Sequence, residues 1–292
     1  MYFSGINVNG HSGCEVNVFA KERQLYLSKI THDPSYVPRL EAQARKQKEF
    51  VFPPSGLIKA PEIVSVAKTG SECTILMKFI HSVNFVEFFE NSGPEKIDRF
   101  SDLMLSFIDW EIGRSVVKDI PSDVMTDKFR EVKKKILKNE FLRKDPETSR
   151  IIIDSERLLF SCKSCALPVG TCHGDLTLSN ILLNNDQIYL VDFLDSFIES
   201  PLIDMVKIRQ DTAFGWSFLM YNQPYDKIRH RITLDYLDRI FGSHFEKYDW
   251  YNANYKAFQL LNFLRILQYA REEGIIIFLK KSILKILQAS GI

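Results

Sequence analysis

The chain has 292 residues, 45% hydrophobic and 26% charged, the balance of a globular protein of one large domain or two modest ones. Its 38 Lys and Arg oppose 37 Asp and Glu, a formal net charge of +1, so the basic excess of a dedicated nucleic-acid binder is missing and no nucleic-acid partner is expected. The most apolar run, Ile275 to Leu279, stops at Lys280 and Lys281, far short of the roughly 20 residues that cross a bilayer, so no stable membrane insertion is expected. The first ten residues carry neither a basic nor an apolar signal-peptide region. Five unevenly spaced cysteines read as reduced thiols, and the expected location is the cytoplasm.

The first eighty residues read as strands around one helix. Cys14 to Lys21 and Gln24 to Ile30 are β-prone runs joined by Glu22 and Arg23, a hairpin signal. Arg39 to Phe50 is rich in helix formers, with Leu40, Ala44 and Gln47 at helical spacing. Pro53, Pro54 and Gly56 break the chain. Ile63 to Val66 and Cys73 to Ile80 read as strands around a turn at Thr69 and Gly70.

Beyond about Phe85 the apolar spacing is mainly helical: Ile97 to Val117, Asp127 to Leu142, Ile151 to Leu159, Ile203 to Tyr221, Lys227 to Phe241, Trp250 to Arg271 and Ile275 to Gln288. One stretch interrupts it. Val169 to Asp195 switches to short apolar runs, Ile181 to Leu183 and Ile188 to Phe193, around Asn184-Asn185-Asp186. That is a hairpin within a helical region.

The hairpin carries the sharpest chemical signal. Its sequence is Cys172-His173-Gly174-Asp175-Leu176-Thr177-Leu178-Ser179-Asn180-Ile181-Leu182-Leu183, then Ile188-Tyr189-Leu190-Val191-Asp192-Phe193. A hairpin can bring Asp175, Asn180 and Asp192 to one point. A carboxylate and an amide oxygen are hard ligands of the kind Mg²⁺ prefers. A second carboxylate beside them can take a proton from a hydroxyl. That is the inventory of in-line phosphoryl transfer, in which a protein mainly positions groups and neutralises charge.

This segment resembles the catalytic core of the aminoglycoside phosphotransferase and choline kinase family, whose pattern is H-G-D-x-x-x-x-N, a hydrophobic hairpin, then D in an apolar strand. The match falls on His173, Gly174, Asp175, Asn180 and Asp192. The resemblance implies an α+β, bilobal, protein-kinase-like fold. Residues 1–77 would be a nucleotide-binding lobe of small sheet and one helix, and residues 78–292 a larger, mainly helical catalytic lobe. It implies ATP or GTP as phosphoryl donor, with Asp175 as base, Asn180 and Asp192 on Mg²⁺, and His173 bracing the loop.

Upstream positions follow from the same resemblance. Lys29, at the end of its strand, would hold the α- and β-phosphates. Gly10, Ser12 and Gly13, in Gly10-His11-Ser12-Gly13, would form the loop over the phosphates. Glu41 is taken as the acid that pairs with Lys29, with Gln43 as the alternative. Met77 and Phe79, in Met77-Lys78-Phe79-Ile80, would lie at the hinge whose backbone reads the base.

The departures are informative. Asp192 is followed by Phe193-Leu194-Asp195, and Gly174 stands where many protein kinases have an Arg. Pro201 comes only nine positions after Asp192 (201 − 192), too soon for a long activation loop. These features favour a small hydroxyl acceptor, such as a sugar, amino alcohol, aminoglycoside or glycan precursor. The expected activity is a phosphotransferase with an alcohol group as acceptor; a catalytically idle nucleotide-binding relative and a kinase acting on protein are the alternatives. Asp195 reads as a metal or substrate contact or as an N-cap, and Asp204 as a brace at a helix start. Cys162, Cys165, Cys172 and His173 mimic a zinc cluster, but one C-x₂-C is half a structural site. Lys133-Lys134-Lys135 and Lys138 read as a solvated helix face.

Overall fold

The computed structural model describes residues 6–9, 14–161 and 164–292. By packing, the chain divides into two compact units: Met1–Trp110 with His173–Ser196, and Glu111–Cys172 with Phe197–Ile292. The fold is α+β, with an N-terminal antiparallel sheet and a longer, mainly helical remainder.

In the first unit, strands β1 (Ile6–Asn9), β2 (Glu15–Lys21), β3 (Gln24–Thr31), β5 (Ile63–Thr69) and β6 (Glu72–Lys78) form an antiparallel sheet in the order β1-β2-β3-β6-β5. The β2–β3 hairpin turns on Glu22 and Arg23, both at positive φ (51° and 65°). A two-residue turn needs that conformation to match the strand twist. The other hairpin turns at Gly70, at φ 59°.

Register decides which side chains face helix α1 (Val37–Glu49). Leu27 lies opposite Met77, and Lys29 opposite Ile75. Cys73, Ile75 and Met77 are buried in one cluster with Val37, Leu40 and Ala44 of α1. Those three helix positions make the apolar stripe of an amphipathic helix. Gln43, Lys46 and Gln47 are buried on the same helix.

The expected hairpin forms as β9 (Ile181–Asn184) and β10 (Gln187–Leu190), turning at Asn185 (φ 52°). A two-residue strand, β4 (Ile58–Lys59), pairs in parallel with β10. Two residues carry no readable alternation, so this pairing escapes a sequence reading. Helix α2 (Phe85–Asn91) lies outside the expected helical runs; Asn84 caps it, its side chain accepting from the Glu87 N–H at 2.9 Å.

Helix α3 (Pro94–Gly113) ends sooner than the spacing predicts. Val116 and Val117 leave the expected helix and enter strand β7 (Val116–Pro121), which pairs with β8 (Ser164–Val169). Two adjacent β-branched residues beyond a glycine prefer the extended backbone.

Helices α4 (Ser122–Lys138), α5 (Pro146–Ser161), α6 (Pro201–Thr212), α7 (Trp216–Leu219), α8 (Lys227–Phe245), α9 (Asp249–Leu267) and α10 (Glu273–Ala289) follow the predicted helical runs. Gly215, at φ 77°, splits the run expected over Ile203 to Tyr221. Helix α9 is buried nearly all round, from Ala257 to Leu264, as the central helix of a bundle must be. Within the same unit Arg209 donates from Nε and Nη2 to Asp238 at 3.0 and 2.9 Å, and from Nη1 to the Tyr251 hydroxyl at 2.8 Å. The bidentate pair fixes α6 against α8, and the bond to Tyr251 ties it to α9. Among the described residues no helix is long and apolar enough to cross a membrane.

Candidate active site

The residues singled out in the hairpin converge within the first unit. The loop leaves His173, passes one turn of 3-10 helix (Leu178–Asn180) and enters β9. Asn180 donates from Nδ2 to the Asp175 backbone carbonyl at 2.8 Å and to Asp175 Oδ2 at 3.1 Å. The five-residue spacing is thus closed by a side chain that grips both the backbone and the carboxylate of Asp175. With Nδ2 so engaged, Oδ1 is the atom of Asn180 suited to a cation.

His173 is fully buried. Its Nε2 lies 2.9 Å from the Val191 carbonyl, and its Nδ1 accepts from the Asp175 N–H at 3.2 Å. A carbonyl only accepts, so Nε2 carries the proton and the ring is neutral. Burial pushes its pKa down to about 4, against the pull of the Asp175 carboxylate. The ring therefore joins the loop bearing Asp175 to the residue preceding Asp192, and stays uncharged near neutral pH.

Asp192 has φ 62°. A left-handed backbone is uncommon for a residue with a Cβ and persists where its surroundings impose it. Here the next residue is the anchor. Phe193 is fully buried, its ring centroid 5.1 Å from that of Phe50, 6.2 Å from Phe52 and 4.3 Å from His173. Leu194 then returns to the loop, its N–H donating to the His173 carbonyl at 3.0 Å.

Gly174 explains why the central residue of the His-Gly-Asp run is glycine. It sits at φ 87°, and a Cβ there would lie 1.9 Å from the Leu194 carbonyl oxygen. The same oxygen accepts from Lys46 Nζ at 2.6 Å. Neither Lys46 nor Phe50 was picked out from the sequence. The signal for Lys46 was present: it shares a helix face with Gln43 and Gln47, a lysine on the buried side.

Lys29 is 6% exposed. Its Nζ lies 2.7 Å from Asp192 Oδ1 and 3.4 Å from Gln43 Oε1. Glu41, expected to be its partner, is not. The Glu41 carboxylate instead pairs with Lys68 at 3.0 Å. Residues two apart on a helix point about 200° apart, so α1 cannot aim both 41 and 43 at β3, and Gln43 takes the inward position.

The remaining positions are placed as follows. Gly10, Ser12 and Gly13 lie outside the described residues. Met77 is buried in the cluster between the sheet and α1. Phe79 is half-buried, its N–H donating to the Leu25 carbonyl at 3.1 Å. It borders an open groove of about 630 Å³ with His81, Val83, Phe88 and Leu183. Asp195 is exposed, and Asp204 is buried in the first turn of α6, a helix capped by Ser200. Cys165 and Cys172 are buried free thiols, and Cys162 lies outside the described residues.

Among the described residues no group of three or more His, Cys, Asp or Glu is arranged to hold a metal ion. The donors at hand, Asn180 Oδ1 and the Asp192 carboxylate, are two hard oxygens. That set fits Mg²⁺, which keeps several waters and shares its remaining positions with substrate phosphates.

No family model and no curated protein sequence matches the chain. Solved structures do. The aminoglycoside phosphotransferase APH(4)-Ia matches with TM-score 0.64 and 10% identity, over 99% of this chain and 94% of its own. A thermostable mutant of that enzyme, in ternary complex with AMP-PNP and hygromycin B, matches with TM-score 0.62 and 12% identity, over 99% and 95%. A putative fructosamine-3-kinase from Haemophilus somnus 129PT matches with TM-score 0.60 and 12% identity, over 98% and 92%. Over nearly its whole length, this chain has the kinase-like fold of the aminoglycoside phosphotransferases.

Proposed function

We propose that this protein is a phosphotransferase that moves the γ-phosphoryl group of ATP or GTP to a hydroxyl of a small polar molecule. One observation carries the reading. Asp175 and Asn180 are bonded to each other, His173 ties their loop to the strand of Asp192, and Asp192 meets the buried Lys29. The residues proposed as base, metal ligands and phosphate-binding cation lie in one packed unit. The solved relatives with bound AMP-PNP or hygromycin B support a nucleotide donor and a small acceptor.

In this reading residues 1–77 form the nucleotide lobe and 78–292 the catalytic lobe. Asn180 and Asp192 would hold Mg²⁺, which supplies charge neutralisation at the phosphates. Lys29 binds the α- and β-phosphates, and the base meets backbone carbonyls between Met77 and Phe79, since the Lys78 and Phe79 N–H groups already donate to the Glu62 and Leu25 carbonyls. Asp175 takes the proton of the acceptor hydroxyl as its oxygen bonds to the γ-phosphorus. The bond from that phosphorus to the β–γ bridging oxygen breaks, and the nucleoside diphosphate leaves. Helix α6 begins at Pro201, so the residues after Asp192 offer little platform for a peptide.

One feature favours a second reading, an idle nucleotide-binding protein: Lys29 faces the neutral Gln43 instead of an acid. The experiment incubates the protein with Mg²⁺, γ-labelled or α-labelled ATP and a pool of small hydroxyl compounds that includes hygromycin B, fructosamines and amino alcohols. The γ-label is expected in a dialysable product other than inorganic phosphate. γ-Label on protein, α-label in a product bearing AMP, or no turnover above the uncatalysed rate would each contradict the proposal.

A further inference from the structure

A buried ammonium needs a counter-charge. Among the described residues, two polar side chains stand against Lys29 Nζ: Asp192 Oδ1 at 2.7 Å and Gln43 Oε1 at 3.4 Å. Gln43 is buried and neutral. The nearby acid of α1, Glu41, is turned to Lys68. The charge of Lys29 is therefore balanced by Asp192.

Asp192 is open to a second cation. Its side chain keeps 43% of its exposure, against 7% for Lys29. Its backbone is fixed at φ 62°, and Phe193 is locked in the aromatic cluster. The backbone of Asp192 is thereby held beside Lys29. A divalent cation approaching it meets a carboxylate whose field Lys29 has partly cancelled, with an ammonium close by.

We propose that Gln43, by offering Lys29 no charge, makes the lysine an internal competitor of the divalent cation at Asp192, so that metal and nucleotide bind with positive coupling. The proposal rests on the phosphotransferase reading and adds a coupling between the two ligands at its site. Metal alone binds weakly, because Lys29 occupies Asp192 Oδ1. Nucleotide phosphates offer Lys29 a stronger partner, and its shift toward them restores the full charge of Asp192 to the metal. Each ligand then raises the affinity of the other by the same factor.

The test is the binding of Mn²⁺ alone to the full chain, followed by calorimetry and water-proton relaxation, and repeated with ADP. In the wild type, ADP is expected to tighten Mn²⁺ binding. Gln43→Glu gives Lys29 a second carboxylate, and should raise the affinity for Mn²⁺ alone by about 2- to 5-fold, the worth of a modest ion pair. The same change adds negative charge near the metal, so the decisive arm is the cycle with Lys29→Met. Through competition, the gain from Gln43→Glu disappears once Lys29 is gone. An equal gain in both backgrounds, or none in either, overturns the proposal. Gln43→Leu adds no charge and covers the case in which the glutamate variant does not fold. It leaves Lys29 wholly to Asp192 and should weaken Mn²⁺ binding about 2- to 3-fold; unchanged affinity also overturns the idea. Wild-type protein that binds no Mn²⁺ even with ADP would instead sink the phosphotransferase reading itself.

Discussion

Asp175→Asn is expected to lower phosphoryl transfer by about 10²- to 10⁴-fold, the usual worth of general acid–base help, while Mg·ATP affinity stays within a few-fold of wild type. The substitution keeps size and shape. The amide oxygen of the new residue can still accept from Asn180 Nδ2, now 3.1 Å from Asp175 Oδ2. The backbone carbonyl of residue 175 keeps its own bond from the same Nδ2. What is lost is a group that can take a proton. Slow ATP hydrolysis, or label transfer to the acceptor pool, reads the turnover, and calorimetry reads the binding. Equal turnover in variant and wild type would remove Asp175 from the role of base. Loss of nucleotide binding would place it on the metal instead.

Gly174→Ala is expected to destabilise the protein by about 3 kcal/mol or more, and to take the catalytic loop with it. Two costs combine there. The left-handed φ of 87° is strained for any residue with a Cβ, and the new atom would sit 1.9 Å from the Leu194 carbonyl oxygen. That oxygen belongs to a segment pinned by the Leu194 N–H on His173 and by Lys46 Nζ on the carbonyl itself, so it cannot yield cheaply. Gly56→Ala separates the two costs. Gly56 also has positive φ, 66°, but nothing lies within 4 Å of its added Cβ. It should lose only about 1 kcal/mol, the cost of backbone strain alone. Urea midpoints of both variants decide the matter. Similar losses at the two glycines would mean that the loop can move and that the His173–Leu194 contact is not rigid.

Much of this architecture was legible from local pattern, because the relevant signals are local. The β2–β3 and β5–β6 hairpins announce themselves by apolar runs about short turns. Asp175, Asn180 and Asp192 stand close together in sequence, and the hairpin that joins them has a strong apolar signature. What escaped depends on packing at long range. β4 exists because Ile58 and Lys59 find β10, about 130 residues later in the chain. Lys46 matters through the Leu194 carbonyl, 148 positions away. The choice between Glu41 and Gln43 is one of helix phase and is legible: Gln43 lies three residues after Leu40 and four before Gln47, on the apolar face of α1, and Glu41 does not. Val116 and Val117 were lost to a helical period that ran past the end of α3; a partner strand some fifty residues later settled their conformation.

The central claim is that Asn180, Asp192 and Lys29 form a metal-dependent nucleotide site. Calorimetric titration of the wild-type chain with ATP, once with excess Mg²⁺ and once with EDTA, tests it most directly. With Mg²⁺ the nucleotide should bind, and at one hundred times its Kd it should stabilise the fold by about 2.7 kcal/mol. With EDTA the affinity should collapse, because Lys29, 2.7 Å from Asp192, must then screen both that carboxylate and the phosphates alone. Tight binding of equal strength under both conditions would contradict the account, since it would mean that the carboxylate and amide of the hairpin do not meet the nucleotide through a metal.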